Sequence, residues 1–163
     1  MAFFDYTSFS IYLPKVTLGI NLRGADLEKS NLQLVNLSNA DMQNCALHKA
    51  NLQQADLQNA NLDTTGLSSS NLQNSYLAGA SLVRAILTDA NLKAANLQDA
   101  NLENANLKNA NLQLAYLFGA NLGGVELSGA NLEGALFDAN TVLPNYSKWS
   151  EASKDLSRFT NAS

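Results

Sequence analysis

The residues best suited to chemistry in this sequence are its single cysteine, Cys45, and its single histidine, His48. A thiol beside an imidazole base can act as a nucleophile, and both side chains bind transition metals. Both residues lie in a run in which every fifth residue is large and apolar. In that frame Cys45 takes an inward position and His48 an outward one, so we expect a core thiol and a surface imidazole that do not converge. The sequence therefore predicts no catalytic residue, no metal site and no bound cofactor.

Asparagine and aspartate precede many of the apolar residues, in units such as Ala95-Asn96-Leu97-Gln98-Asp99. An array of amides and carboxylates resembles a set of metal or substrate ligands, but such short side chains also bind the backbone of their own turns. Because their number follows the repeat, we interpret them as turn residues. An enzyme needs a pocket with converging polar groups. A coil filled with apolar side chains leaves no such pocket, so we predict that the protein is not an enzyme.

The apolar run extends from Leu22 to Phe137 with a period of five residues. It has 24 central positions, of which 22 are leucine and the others are Met42 and Phe137. The residue two before each central position is usually small, and it is alanine in 16 of the 24 units. Neither an α-helix nor a flat strand can place residues of this spacing on one side. The chain must turn a corner in every unit, which predicts an all-β coil stacked on itself.

Sorting the units by fours gives a non-random pattern. We define four faces by their first central residues, Leu22, Leu27, Leu32 and Leu37, with later members following at intervals of 20. On the third face the residue before the leucine is always asparagine: Asn31, Asn51, Asn71, Asn91, Asn111 and Asn131. This rhythm predicts four faces per coil, with like side chains stacked between coils. Six coils at a strand spacing of about 4.8 Å would make a rod about 29 Å long.

These units match A(D/N)LXX, and residues 20–139 as a whole resemble the pentapeptide-repeat family. The chain resembles small cyanobacterial members of the family, and the resemblance implies a right-handed quadrilateral β-helix. Most cyanobacterial members have no assigned activity, and one regulates heterocyst development. A separate group in other bacteria binds DNA gyrase as a mimic of duplex DNA.

Residues 1–19 are predicted to form an N-terminal cap and partial coil. Residues 11–18 repeat the apolar spacing one residue out of frame, and Gly19 would be the inserted residue. Four aromatic residues would cover the open end of the coil, which otherwise offers unpaired backbone groups: Phe3, Phe4, Tyr6 and Phe9.

Residues 140–163 are predicted to form an exit loop, marked by Pro144, and a short C-terminal α-helical cap. Over residues 149–160 an apolar stripe has helical spacing, with Ser150 as its N-cap. The stripe consists of Trp149, Ala152, Leu156 and Phe159. The helix would serve either as a lid or as a dimerisation element.

The repeat is weakest over residues 64–70, where hydroxyl residues replace the inward alanine. Thr65, Ser70 and Ser75 would each bury a hydroxyl group that must find a hydrogen-bond partner. We interpret this stretch as a tolerated variation, with a designed hinge as the alternative.

The composition argues against several other classes of protein. A net charge of −4, a pI near 4.8 and only 15% charged residues argue against a nucleic-acid or anionic-membrane partner. One cysteine forms no intramolecular disulfide. The sequence has no basic N-terminal region of a signal peptide and no apolar run of the ~20 residues that a membrane helix needs, so we expect a cytoplasmic protein.

Because no catalytic, metal or cofactor site is predicted, we expect the function to depend on the outer surface of the coil. The outward positions of the fourth face hold Tyr76, Tyr116, Phe118 and Leu136. They also hold Asp56, Asp99 and Asp138, and no basic residue. Exposed aromatic side chains gathered on one face often mark interaction sites. We therefore predict a non-catalytic interaction, scaffold or regulatory module that binds a protein partner, with a DNA-mimicking gyrase-binding protein as the alternative. We expect a monomer, or a dimer through the C-terminal helix.

Overall fold

The computed structural model describes residues 19–150 and 156–160, and its β structure consists of isolated bridges. Twenty parallel bridges, from Asn21–Asp41 to Tyr116–Leu136, each join residues that are 20 apart. From Leu22 to Leu122, the N–H of each central residue donates to the next coil, as Leu52 N does to Asn71 O (2.7 Å), and Asn71 N donates back to Ala50 O (2.9 Å). The predicted 20-residue coil with four faces is confirmed.

A tight turn forms each corner. The N–H of the inward small residue donates to the carbonyl of the preceding central residue, as Ala55 N does to Leu52 O (3.0 Å). Two residues lie between them, and the second, here Gln54, is in the left-handed region with a φ of 57°. This combination makes the corner a type II turn. Left-handed backbone is tolerated best by glycine and asparagine. The closed hydrogen-bonding of adjacent coils holds other residue types there as well.

The interior is filled by the central residues and by the small residues that precede them. All central residues from Leu32 to Leu117 are at most 1% exposed, and the alanines between them are equally buried. The three hydroxyls predicted to be buried find partners: Thr65 Oγ1 donates to Met42 O (2.9 Å), Ser70 Oγ to Leu67 O (2.7 Å) and Ser75 Oγ to Leu72 O (2.8 Å). Among the described residues, no buried side-chain nitrogen or oxygen lacks a partner.

The sixth coil ends with one extra residue. Asn121 pairs with Val142, 21 residues later, and Thr141 and Leu143 take the two inward positions in a frame shifted by one. Elsewhere on the fourth face, corner N–H groups donate to a backbone carbonyl, as Asp99 N does to Phe118 O (2.8 Å). Gly119 N instead donates to the side-chain Oδ1 of Asp138 (2.8 Å). The carboxylate therefore replaces the ladder carbonyl that the insertion displaces.

A β-hairpin follows the insertion. Val142 pairs antiparallel with Lys148, Leu143 N donates to Ser147 O (2.7 Å), and Trp149 N donates to Thr141 O (2.9 Å). The Tyr146 N–H closes a turn on the Leu143 carbonyl (2.8 Å), and Tyr146 itself is left-handed. A type I turn followed by a left-handed residue is a common hairpin loop.

The predicted helix over residues 149–160 is wrong at its start, because Trp149 belongs to this hairpin. Helix α1 spans Ser157–Thr160, a single turn that does not begin at Ser150. Phe159 packs against the core, Gly129 N donates to Thr160 O (2.6 Å), and the Trp149 ring stacks on Phe137 at 6.2 Å. Among the described residues, a hairpin and one helical turn thus stand where a helical cap was expected, and residues 151–155 of the predicted helix lie outside them.

Residues 1–18 of the predicted N-terminal cap and partial coil lie outside the described residues, as does Ala152 of the predicted stripe. Gly19, predicted as an inserted residue, instead takes a regular left-handed corner position with a φ of 71°, and its N–H donates to Ser38 O at 3.2 Å. No helix in the described part of the chain is long and apolar enough to cross a membrane.

Candidate interaction surface

Cys45 and His48 occupy the inward and outward positions that the repeat predicts. The Cys45 thiol is buried and donates to Leu22 O (2.8 Å), and burial raises the pKa of this thiol. His48 is half-buried on the second face, where its ring lies over Gly66: a Cβ at Gly66 would come within 2.5 Å of Nε2. Across residues 19–150 and 156–160, no cluster of three metal-ligating side chains occurs.

The asparagine and aspartate side chains bind their own turns, as predicted. Asn71 Oδ1 accepts from the backbone N–H of Gln73 at 3.1 Å, and the same bond recurs along the coil. On the third face the amides also bind one another: Asn71 Nδ2 donates to Asn51 Oδ1 (3.5 Å), and Asn91 Nδ2 donates to Asn71 Oδ1 (3.2 Å). The third face is therefore a column of amides whose hydrogen-bonding groups are largely used within the column.

The fourth face carries the aromatic side chains in one column. Parallel bridges align Asp56, Tyr76, Asn96, Tyr116 and Leu136 one above the other. Tyr76 is 50% exposed, and Tyr116 and Leu136 are each 44% exposed. The half-buried Phe118 packs beside Tyr116, with ring centroids 6.3 Å apart and planes tilted by 59°. The four predicted partner-binding residues thus share one face.

A slot crosses this face between the two tyrosines, and we call it the Asn96 slot. It has a volume of about 310 Å³ and lies where Asn96 and Ala94 replace larger side chains. Tyr76 forms the wall on one side, and Tyr116 with Phe118 forms the wall on the other. Its lining consists of Asn74, Ser75, Tyr76, Ala94, Asn96, Gln98, Tyr116 and Phe118.

The sequence prediction missed Leu114, which is 49% exposed at the corner between the third and fourth faces. Its side chain lies over Gly134 of the next coil, where an added Cβ would meet its Cδ2 at 2.7 Å. Because the position two residues after a central leucine is a turn position, the repeat pattern gives no signal for an exposed apolar side chain there. Ile86 on the second face and Tyr146 on the hairpin are also exposed, but they lie away from this column.

The acidic residues of the fourth face have defined surroundings. Asp56 Oδ1 accepts from Gln58 N (3.1 Å), and Asp99 Oδ2 accepts from Gln98 Nε2 (3.3 Å). The hydrogen bond from Gly119 N, helped by those from Thr141 and Asn140, lowers the pKa of Asp138 below its usual value. The face therefore presents fixed negative charge around its aromatic side chains.

A closed four-sided coil with a filled core and a patterned surface defines a repeat solenoid. Sequence comparison matches the family described as Pentapeptide repeats, in 8 copies, over residues 20–59, 66–98 and 95–134. The chain therefore belongs to the pentapeptide-repeat family, whose members form right-handed quadrilateral β-helices. No match was found among curated proteins.

Several solved structures resemble the chain. HetL, a pentapeptide-repeat protein involved in heterocyst differentiation regulation in the cyanobacterium Nostoc sp. strain PCC 7120, is 25% identical over 79% of this chain and 78% of its own, with a TM-score of 0.42. Rfr23 from the cyanobacterium Cyanothece 51142 is 36% identical over 77% of this chain and 89% of its own, with a TM-score of 0.37. QnrB1, a plasmid-mediated fluoroquinolone resistance protein, is 20% identical over 77% and 71%, with a TM-score of 0.55.

Proposed function

We propose that this protein is a non-catalytic binding module that presents the fourth face of its β-helix to a protein partner. The observation that carries the proposal is the aromatic column of that face. Tyr76, Tyr116 and Leu136 are each about half exposed in one line, with Phe118 packed beside them. Aromatic side chains held by a rigid scaffold are typical anchors of protein interfaces, because they bury a large area at a low entropic cost.

The interior supports binding at the surface over catalysis. The central leucines and small residues close the coil along its axis, so a substrate would find no enclosed site there. Cys45 is directed into this core and hydrogen-bonded to Leu22, and His48 lies on the outside over Gly66. The side chains needed for acid–base or nucleophilic chemistry are thus kept apart by the register of the repeat.

The charges of the face indicate the chemistry of the partner. Asp56, Asp99 and Asp138 surround the apolar column, and the outward positions of this face hold no lysine or arginine. A complementary surface would combine apolar or aromatic groups with positive charge, since complementary potentials favour encounter and correct register. Such a partner is a protein with a basic, partly apolar patch, and neither nucleic acid nor an anionic membrane surface fits the requirement.

The proposal is tested by changing the anchors while the core is left intact. In the triple variant Tyr76→Ser, Tyr116→Ser and Phe118→Ser, we expect loss of specific partner capture from a lysate of the source cells, with the thermal midpoint nearly unchanged. A matched control on the third face carries Gln53→Ser, Gln73→Ser and Gln113→Ser and should keep full capture.

A photo-crosslinking amino acid in place of Gln98 would establish contact directly. We expect crosslinked products from this position on the fourth face and none from the equivalent substitution of Gln73 on the third face. Full capture by the aromatic triple variant, or the same products from both faces, would show that the fourth face is not the binding surface.

A further inference from the structure

The Asn96 slot is a gap in a column of tyrosines. The bridges place Tyr76, Asn96 and Tyr116 on consecutive coils. At a spacing of about 4.8 Å per coil, the two tyrosine positions are about 9.6 Å apart. Asn96 is shorter than either neighbour in the column, and Ala94 leaves the adjoining corner open. The slot is therefore one coil high, with aromatic walls on both sides and amide groups from Asn74, Asn96 and Gln98 within it.

A planar group at mid-height in the slot would lie about 4.8 Å from each tyrosine position. A cation interacts favourably with an aromatic ring within about 6 Å of its centroid, and the guanidinium group of arginine is both planar and prone to stack on aromatic faces. We propose that the Asn96 slot receives an arginine side chain of the protein partner. The inference rests on the proposed function of the fourth face and names the group that it would recognise.

The charges around the slot favour a cation over a neutral aromatic group. Asp56 lies one coil below Tyr76, and Asp99 follows Gln98 in the coil that forms the slot. Asp99 Oδ2 holds the Gln98 amide at 3.3 Å, which directs the amide nitrogen to the carboxylate and leaves the amide oxygen as an acceptor for guanidinium N–H groups. The nearest base in the sequence, Lys93, belongs to the third face, beyond the corner at Ala94.

A small defined probe tests this without the partner. The full-length protein, with ¹³C-labelled tyrosine, is titrated with acetyl-Gly-Arg-Gly-amide and followed by aromatic NMR. We expect saturable shifts of the Tyr76 and Tyr116 rings in the millimolar range. Tyr146, exposed on the hairpin, provides an internal control and should not move. The peptide with citrulline, a neutral analogue of arginine, should give shifts several-fold smaller at the same concentration, as should the phenylalanine peptide.

Two variants locate the site. Asn96→Tyr fills the slot with a residue that the same column already accepts at positions 76 and 116, so we expect an intact fold and loss of the arginine response. Asp99→Asn should weaken the response several-fold while retaining the slot. Equal responses to arginine and citrulline peptides, a preference for phenylalanine, no shift at all, or an unchanged response in Asn96→Tyr would overturn the inference.

The two proposals fail in different ways. If the arginine peptide does not bind, but the aromatic triple variant still loses its partner, the fourth face remains the binding surface and the slot is not an arginine site. If the arginine peptide shifts both rings, but the triple variant captures its partner normally, the slot binds arginine but the partner does not use it, which also overturns the inference.

Discussion

The third and fourth faces share one backbone and one core but present opposite surfaces. On the third face the amides of Asn51, Asn71 and Asn91 bind one another, so the column satisfies much of its own hydrogen-bonding capacity. On the fourth face Asn96 separates Tyr76 from Tyr116, and the column is interrupted. A column of like amides forms hydrogen bonds within itself and presents a regular surface. A column of unlike residues presents side chains of different sizes, with protrusions and a depression between them. The interrupted column is therefore where recognition is expected.

The largest expected effect tests whether the two faces share one core. Leu92 and Leu97 lie beneath the third and fourth faces, and both are fully buried. Replacing either with alanine should cost about 2–5 kcal/mol, because the closed coil has little room to collapse around the cavity. Chemical denaturation measures the cost, with Gln98→Ala as the outward control at within about 0.5 kcal/mol. Equal costs for inward and outward changes would contradict the inward and outward assignment.

A smaller loss is expected at the end of the fourth face, where the extra residue enters. In Asp138→Ala, the N–H groups of Gly119, Asn140 and Thr141 lose the acceptor Oδ1. We expect a lower free energy of unfolding than in the wild type, with Asp138→Asn in between because it keeps one acceptor oxygen. No change in Asp138→Ala would show that the carboxylate does not stabilise the insertion.

The pH dependence of this loss follows from the lowered pKa of Asp138. Its ordinary value is 3.8, and the folded state holds it lower through the hydrogen bond from Gly119 N. The carboxylate therefore stabilises the fold fully above 3.8, and this contribution is lost as the pH falls below that value toward the folded pKa. The stability difference between wild type and Asp138→Asn should shrink in acid when measured by urea denaturation. A constant difference would contradict the assignment.

A smaller difference in stability is expected between two asparagines, Asn71 in the amide column of the third face and Asn96, which binds only its own turn. Asn96→Ala removes one acceptor, that of Gln98 N (3.1 Å), whereas Asn71→Ala removes the acceptor of Gln73 N and both links to neighbouring amides. We expect Asn71→Ala to be the costlier change by about 0.5–1.5 kcal/mol, the net value of a typical hydrogen bond. Equal unfolding free energies would indicate that the column adds nothing to the turns.

Sequence reasoning predicted the coils well because period and register are set by local spacing. The asparagines of the third face indicated the 20-residue coil, and the inward positions of Cys45 and Thr65 followed from the same frame. The column assignment also brought Tyr76 and Tyr116 together on one face. The slot between them was not predicted, since its shape depends on the short side chains at positions 94 and 96 together with both walls.

The C-terminal end was predicted less well because tertiary pairing decides its structure. Trp149 has helical spacing to Leu156 and Phe159, yet its N–H pairs with Thr141 O and its ring stacks on Phe137. An apolar stripe identifies residues that pack on the open coil and does not fix their backbone. The insertion is visible in the sequence, because Leu143 follows Phe137 by six residues and not by five. Thr141 keeps the inward position two residues before Leu143.

In the last experiment we expect no effect on DNA gyrase. We predict that the protein does not inhibit this enzyme as a mimic of duplex DNA. Duplex DNA carries one charge per ~1.7 Å, so a length of about 29 Å presents about 17 negative charges. Residues 20–139 hold eleven acidic and six basic residues, a net charge of −5. The third face nets zero from Lys93 and Glu133, and the fourth reaches only −3. Long-range attraction to a basic DNA-binding surface should be correspondingly weak.

Shape and assembly are the counter-arguments to this last prediction. A rod-shaped coil could bind a partner through its shape with little help from charge, and dimerisation could change the length of the surface that it presents. Dimerisation would lengthen the rod, but its charge per unit length would stay the same, and that density governs attraction to a DNA-binding groove. The measurement is a gyrase supercoiling assay with purified protein titrated to tens of micromolar. Clear inhibition of gyrase would contradict the prediction. It would indicate that the partner recognises the shape of the rod and not the aromatic side chains of the fourth face.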